Sequence, residues 1–160
     1  MKNNSKQLKT IRKTVVVFIT LLVLSGVTAF PLQTELNFLA ENITASSGVL
    51  YLWITDVNMA INSINQSYPF LAYGTDWLAF AHIVISIFFI GVYKNPVQNI
   101  WITTTGIIAC LLILPVAFIA GYFRDIPFFW ILIDCSFGAL GLIPLIIIHK
   151  NTQQLIYNNK

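Results

Sequence analysis

Four ionisable side chains stand where such groups are costly or scarce in this chain: Asp76, His82, Arg124 and Asp134. His82 falls about two turns into the apolar run that Asp76 and Trp77 open, and Asp134 a similar distance into the last apolar run. At the helical rise of about 1.5 Å per residue, each is roughly 9 Å below the end of its run. An ionisable group at that depth in a bilayer must face a partner or water, which makes it a functional-site hypothesis by default. The economical arrangement sets His82 against Asp134 in a hydrogen-bonded or ionic pair, with Asp76 and Arg124 nearer the rim. Imidazole beside a carboxylate can shuttle protons or orient a substrate near neutral pH. The expected site is a polar pocket lined by Asp76, His82, Arg124 and Asp134 and open to the external side. The competing reading is structural: the pair satisfies itself and locks the bundle, and hydrogen bonds of this kind in membranes average ~0.6 kcal/mol.

Each residue also has a local explanation. Thr75 can cap the helix, with Asp76 in its first turn, where a carboxylate meets the positive end of the helix dipole. Arg124 and Asp125 can form a solvated turn, although Arg124 is also the external base suited to an anionic headgroup or substrate. Cys110 and Cys135 sit in apolar runs at depths of roughly 18 and 10 Å. That offset exceeds the usual disulfide Cα separation of about 4.4–6.8 Å, so packing is the expected role of both. His149 ends the last apolar run, where a cation suits the dipole, and lies too far along the bundle to form a haem site with His82. No CxxC, HExxH, GxSxG or phosphate-loop pattern occurs, so no metal or other cofactor is nominated.

The elements that must position these residues are membrane spans. Of 160 residues 57% are hydrophobic and only 9% charged, with a mean hydropathy of +0.77, whereas soluble domains carry about a quarter charged residues. Spans are expected at about 14–30, 76–93, 99–122 and 128–148, forming a single integral membrane domain over 1–160. The first run, after a basic start and before Val27-Thr28-Ala29, has the form of a signal peptide, but its length favours a retained helix. Between the first two spans, Leu50, Trp53, Ile54, Val57, Ile61 and Ile64 recur at helical spacing, with Asp56, Asn58 and Asn62 off that stripe. This predicts an external amphipathic helix, with a shorter helix over 35–42 before it. Short connections after the second and third spans make neighbours antiparallel, with Pro115 and Pro144 as possible kinks.

Charge sets the expected orientation. Lys2, Lys6, Lys9, Arg12, Lys13, Lys94, Lys150 and Lys160 fall on one side and Arg124 on the other, so both termini are expected to be cytoplasmic. The net charge of +3 therefore reflects topology, and nucleic acid is not an expected partner.

The runs YPFLAYGTDWLAFAHIVISIFFIG and IPFFWILIDCSFGALGLIPL resemble an uncharacterised family of small four-helix membrane proteins from Bacteroidetes, over most of the chain. The resemblance implies the fold and carries no activity with it. Four spans with an external first loop also look, more loosely, like the sterol-isomerase type of membrane fold. That family's acidic residues do not map onto positions here, and none is carried over. The expectation is an all-α, four-transmembrane-helix bundle in the bacterial inner membrane, binding a lipid-like or small amphiphilic ligand in its outer pocket. The alternatives are an intramembrane enzyme using His82 and Asp134 as acid and base, or a structural subunit. Membrane lipids are the expected partners, with a membrane-protein partner or a second copy of the chain as further possibilities.

Overall fold

The computed structural model describes residues 2–44 and 48–158; Lys160, counted above with the basic set, lies outside the described residues. Its elements run α1 (Lys2–Ala29), α2 (Leu32–Asn42), α3 (Val49–Ser67), a 3-10 turn (Pro69–Ala72), α4 (Tyr73–Lys94), α5 (Ile100–Phe123) and α6 (Phe128–Asn158). Among the described residues there are four helices long and apolar enough to cross a membrane: α1, α4 with the preceding turn, α5 and α6. Each overlaps one of the runs identified from hydropathy, with Phe30 and Asn99 falling just outside α1 and α5. Pro115 and Pro144 both lie inside continuous helices.

The helices at the two chain ends are longer than the apolar runs within them. α1 starts twelve residues before the apolar run, and α6 continues ten residues beyond Ile148. Buried side chains explain the extension: Gln7, Ile11, Val15 and Phe18 form one stripe of α1, and Ile148, Thr152 and Leu155 one stripe of α6. Gln7 Nε2 donates to Gln154 Oε1 at 2.8 Å, and Asn158 Nδ2 to Asn4 Oδ1 at 3.0 Å. The polar tail is thus a packed helix, its apolar residues spaced three or four apart among amides.

The chain forms two compact units, Met1–Leu21 with Ser86–Lys160, and Leu22–Ile85. In the first, α5 and α6 pack closely because Gly138 allows it: a Cβ there would lie 2.8 Å from the carbonyl oxygen of Cys110. Cys110 Sγ approaches Gly141 in the same way, and Cys110 and Cys135 are free thiols that pack as small apolar groups. The rings of Phe18 and Phe89 meet with centroids 4.7 Å apart. At the end of α4, Asn99 Nδ2 donates to the carbonyls of Gly91 and Asn95, adding a second donor to each beside the Asn95 and Asn99 backbone N–H groups. Arg12 Nε donates to the Tyr93 carbonyl at 3.4 Å while its guanidinium sits 5.5 Å from the Tyr93 ring centre.

The turn from α5 to α6 has a defined closing geometry. Asp125 takes φ of 53°, and the Ile126 N–H bonds back to the Gly121 carbonyl at 3.0 Å, a Schellman closure followed by Pro127. Asp125 tolerates the left-handed region better than most residues because its short side chain can bond locally.

In the second unit, α2 and α3 run antiparallel and are joined through amides. Gln33 Nε2 donates to Asn62 Oδ1 at 2.6 Å, Asn62 Nδ2 to Asn37 Oδ1 at 2.9 Å, and Asn65 Nδ2 to Gln33 Oε1 at 2.8 Å. Asn62 Nδ2 also lies 3.1 Å from Asn58 Oδ1. Of the expected apolar stripe on α3, Ile54 is buried and Trp53, Val57 and Ile61 are half-buried, whereas Leu50 and Ile64 at its ends are exposed. Asn58 and Asn62, off that stripe, are half-buried as well because they face the amides of α2. α1 and α4 cross closely at Gly26, where a Cβ would stand 2.8 Å from the Ala79 carbonyl oxygen and 3.2 Å from His82 Cβ.

Candidate functional site

The chain reverses after α1 at Phe30-Pro31, and α2, the end of α3, the 3-10 turn and the start of α4 converge there. They enclose a cavity of about 400 Å³ in the second unit, a size that suits a small ligand. Its apolar wall comes from Phe30, Leu32, Ile61, Ile64 and Leu71, and its polar lining from Gln33, Thr34, Asn65, Thr75 and Asp76. Gln33 and Asn65 are tied to each other and, through Gln33, to Asn62. Two of the cavity's polar groups are therefore held in place before any ligand arrives. Preorganised polar groups on an apolar wall are what an amphiphile site requires.

Asp76 borders this cavity and a neighbouring recess of about 290 Å³ lined by Phe30, Tyr73, Trp77 and Phe80. The carboxylate lies in the first turn of α4, as expected from the sequence. The cap is different from expectation. α4 begins at Tyr73, and the Thr75 hydroxyl donates to the Ala72 carbonyl at 2.6 Å, so Thr75 sits inside the helix and is not its N-cap. The 3-10 turn feeds α4 without a break and leaves the capping position to Ala72 and its neighbours.

His82 follows Asp76 on α4 and is half-buried. Its Nδ1 donates to the Leu78 carbonyl at 2.8 Å, one helical turn back. A carbonyl oxygen only accepts, so the proton is on Nδ1, and in the neutral ring Nε2 is the acceptor. Ala79, three residues before it, and Ser86, four residues after it, are both buried.

Arg124 and Asp134 belong to the first unit, where they line one groove of about 310 Å³ with Ile113, Val116, Ala117, Ala120, Gly121, Ile126 and Ile131. Asp134 is half-buried and Arg124 exposed. Of the four residues singled out from sequence, these two are brought into one groove, and Asp76 and His82 share the first turns of α4 in the other unit. Among the described residues, no group of three or more His, Cys, Asp or Glu side chains is placed to hold a metal ion.

Sequence reasoning missed Gln33, Asn65 and Phe30. The signal was present for the amides: Gln33 and Asn37 are four apart, and Asn58, Asn62 and Asn65 follow at four and three, each set on one helical face. Phe30 carries no such signal, because its place depends on the α1–α4 crossing. Comparison of the chain with protein-family models, with curated proteins and with solved structures finds no match.

Proposed function

We propose that this is a multi-pass protein of the bacterial inner membrane that binds a lipid-like or small amphiphilic molecule in the cavity bounded by Gln33, Asn65 and Asp76. Both termini are cytoplasmic in this reading, and α2 and α3 form an external cap. The observation that carries it is one cavity with an aliphatic wall opposite a preorganised amide and carboxylate lining. The distribution of lysines supports the orientation, because positive residues are retained on the cytoplasmic side.

The test is mass spectrometry of an organic extract from full-length protein purified in mild detergent. A bound amphiphile at about one per chain is expected, and Ile61→Trp, which fills the cavity, should lose it while the circular dichroism stays helical. Equal recovery from the filled variant would place the molecule elsewhere and end this reading. Orientation is tested separately in spheroplasts: a cysteine at Gln66 should react with an impermeant maleimide, and one at Lys150 only after lysis.

One observation favours a second reading, an acid–base enzyme. The Nδ1 bond to Leu78 leaves His82 Nε2 as an acceptor aimed away from its own helix backbone, the state a general base requires. In that case His82→Ala and Asp134→Asn each abolish turnover of the extracted molecule without loss of folded protein. Retention of the unchanged molecule by both variants would support binding alone.

A further inference from the structure

The recess beside the cavity differs from it in chemistry. Tyr73, Asp76, Trp77 and Phe80 are spaced i, i+3, i+4, i+7, so one face of α4 carries a carboxylate among three rings. Tyr73 and Trp77 meet edge-to-face with centroids 5.8 Å apart, and Trp77 and Phe80 at 5.6 Å, so each ring is braced by its neighbour. Phe30 lines the recess from just beyond the end of α1, four residues after the close crossing at Gly26. Trp77 and Phe80 remain 54% and 50% exposed, which leaves ring surface available to a ligand.

Charge decides what that ligand is. Among the described residues, Asp76 is the only charged side chain lining the recess or the adjoining cavity. The start of α4 contributes about half a positive charge, so the site stays net negative beside its full carboxylate charge. An anionic headgroup would be repelled. A metal ion would want several oxygen ligands where one carboxylate is offered. An organic ammonium fits, because its charge pairs with Asp76 and its methylenes or methyls lie against ring faces whose quadrupole attracts cations.

We propose that the recess receives the alkylammonium headgroup of a zwitterionic phospholipid, of the ethanolamine or choline type. Its acyl portion would lie along Ile61, Ile64 and Leu71, and Asp76 and Phe30, which border both spaces, mark where headgroup and chain meet. The proposal rests on the reading of the cavity as an amphiphile site and narrows it to a headgroup class.

The experiment is native mass spectrometry of the full-length protein in micelles doped with phosphatidylethanolamine, phosphatidylcholine or phosphatidylglycerol of identical acyl chains. The wild type is expected to retain the two ammonium lipids about tenfold over phosphatidylglycerol. Asp76→Asn should bring that ratio near one while lipid is still retained. Trp77→Leu, at a ring that is about half exposed, should lower retention of the ammonium lipids several-fold and serves if the Asp76 variant does not fold. Equal retention of all three lipids by the wild type, or an unchanged ratio in both variants, overturns the headgroup assignment, and the rings are then an interfacial belt only. Failure to retain any of the three overturns the amphiphile reading as well.

Discussion

Asn62 ties α3 to α2 at two points, because its amide accepts from Gln33 and donates to Asn37, and it also donates toward Asn58 within α3. Removing one partner of a buried hydrogen bond costs more than the bond contributes, since the others keep their desolvation penalty. Asn62→Ala is therefore expected to destabilise by about 1–3 kcal/mol, and Gln33→Leu with Asn62→Leu together by less than the sum. Thermal unfolding in detergent, run as a double-mutant cycle, measures both. At this scale the sequence was partly legible. The depth of His82 showed that its polarity must be met, and the structure meets it at Nδ1 through the Leu78 carbonyl of the same helix. Depth fixes a residue's level along its axis and says nothing of rotation about it, so the bond to Leu78 could not be read from the level of His82 alone.

Among the elements, the α5–α6 turn shows how local geometry can be tested apart from packing. Asp125 occupies a left-handed conformation that glycine adopts freely and β-branched residues do not. Asp125→Gly should leave stability unchanged or raise it, whereas Asp125→Val should lower it by about 1–3 kcal/mol, both read from melting curves. The α1–α4 crossing makes a second case. Gly26→Val would drive methyls into the Ala79 carbonyl and His82 Cβ, with an overpacking cost of about 1–3 kcal/mol. Because Phe30 follows that crossing, the same variant should also lose bound amphiphile, which extraction would show. Long apolar runs made the four spans readable, and Pro127 after Arg124-Asp125 made the turn readable. The amide seam between α2 and α3 was not, because asparagine on an amphipathic helix reads as solvent-facing until a second helix supplies amides opposite it.

For the whole molecule, burial and hydropathy point in opposite directions on α5. Only Ile102, Thr103 and Gly121 are buried there, while Ile108, Leu111, Leu112, Val116, Phe118 and Ile119 are exposed. Lipid tails are the expected cover for such a face, since water would leave an apolar surface far larger than soluble proteins tolerate. The polar helical ends tell a different story. Leu155 and Ile11 are buried in a segment whose composition alone reads as a soluble tail. Leu155→Asp is expected to fray the first turns of α1, so that trypsin cuts native, detergent-solubilised protein after Lys6 or Lys9 at least several-fold faster than wild type. Equal cleavage would mean that these ends are held by something other than their own packing.

That pairing of the two ends also bears on how the molecule is made. Asn4 meets Asn158 across a sequence separation of 154, and Gln7 meets Gln154 across 147. During synthesis the early half of α1 therefore waits, its buried stripe uncovered, until α6 has left the ribosome. The contiguous unit Leu22–Ile85 can assemble from near neighbours as it emerges. The second half of α6 closes the first unit, so a ribosome stalled within that helix would leave a nascent chain with α1, α4 and α5 already made and its clasp still open.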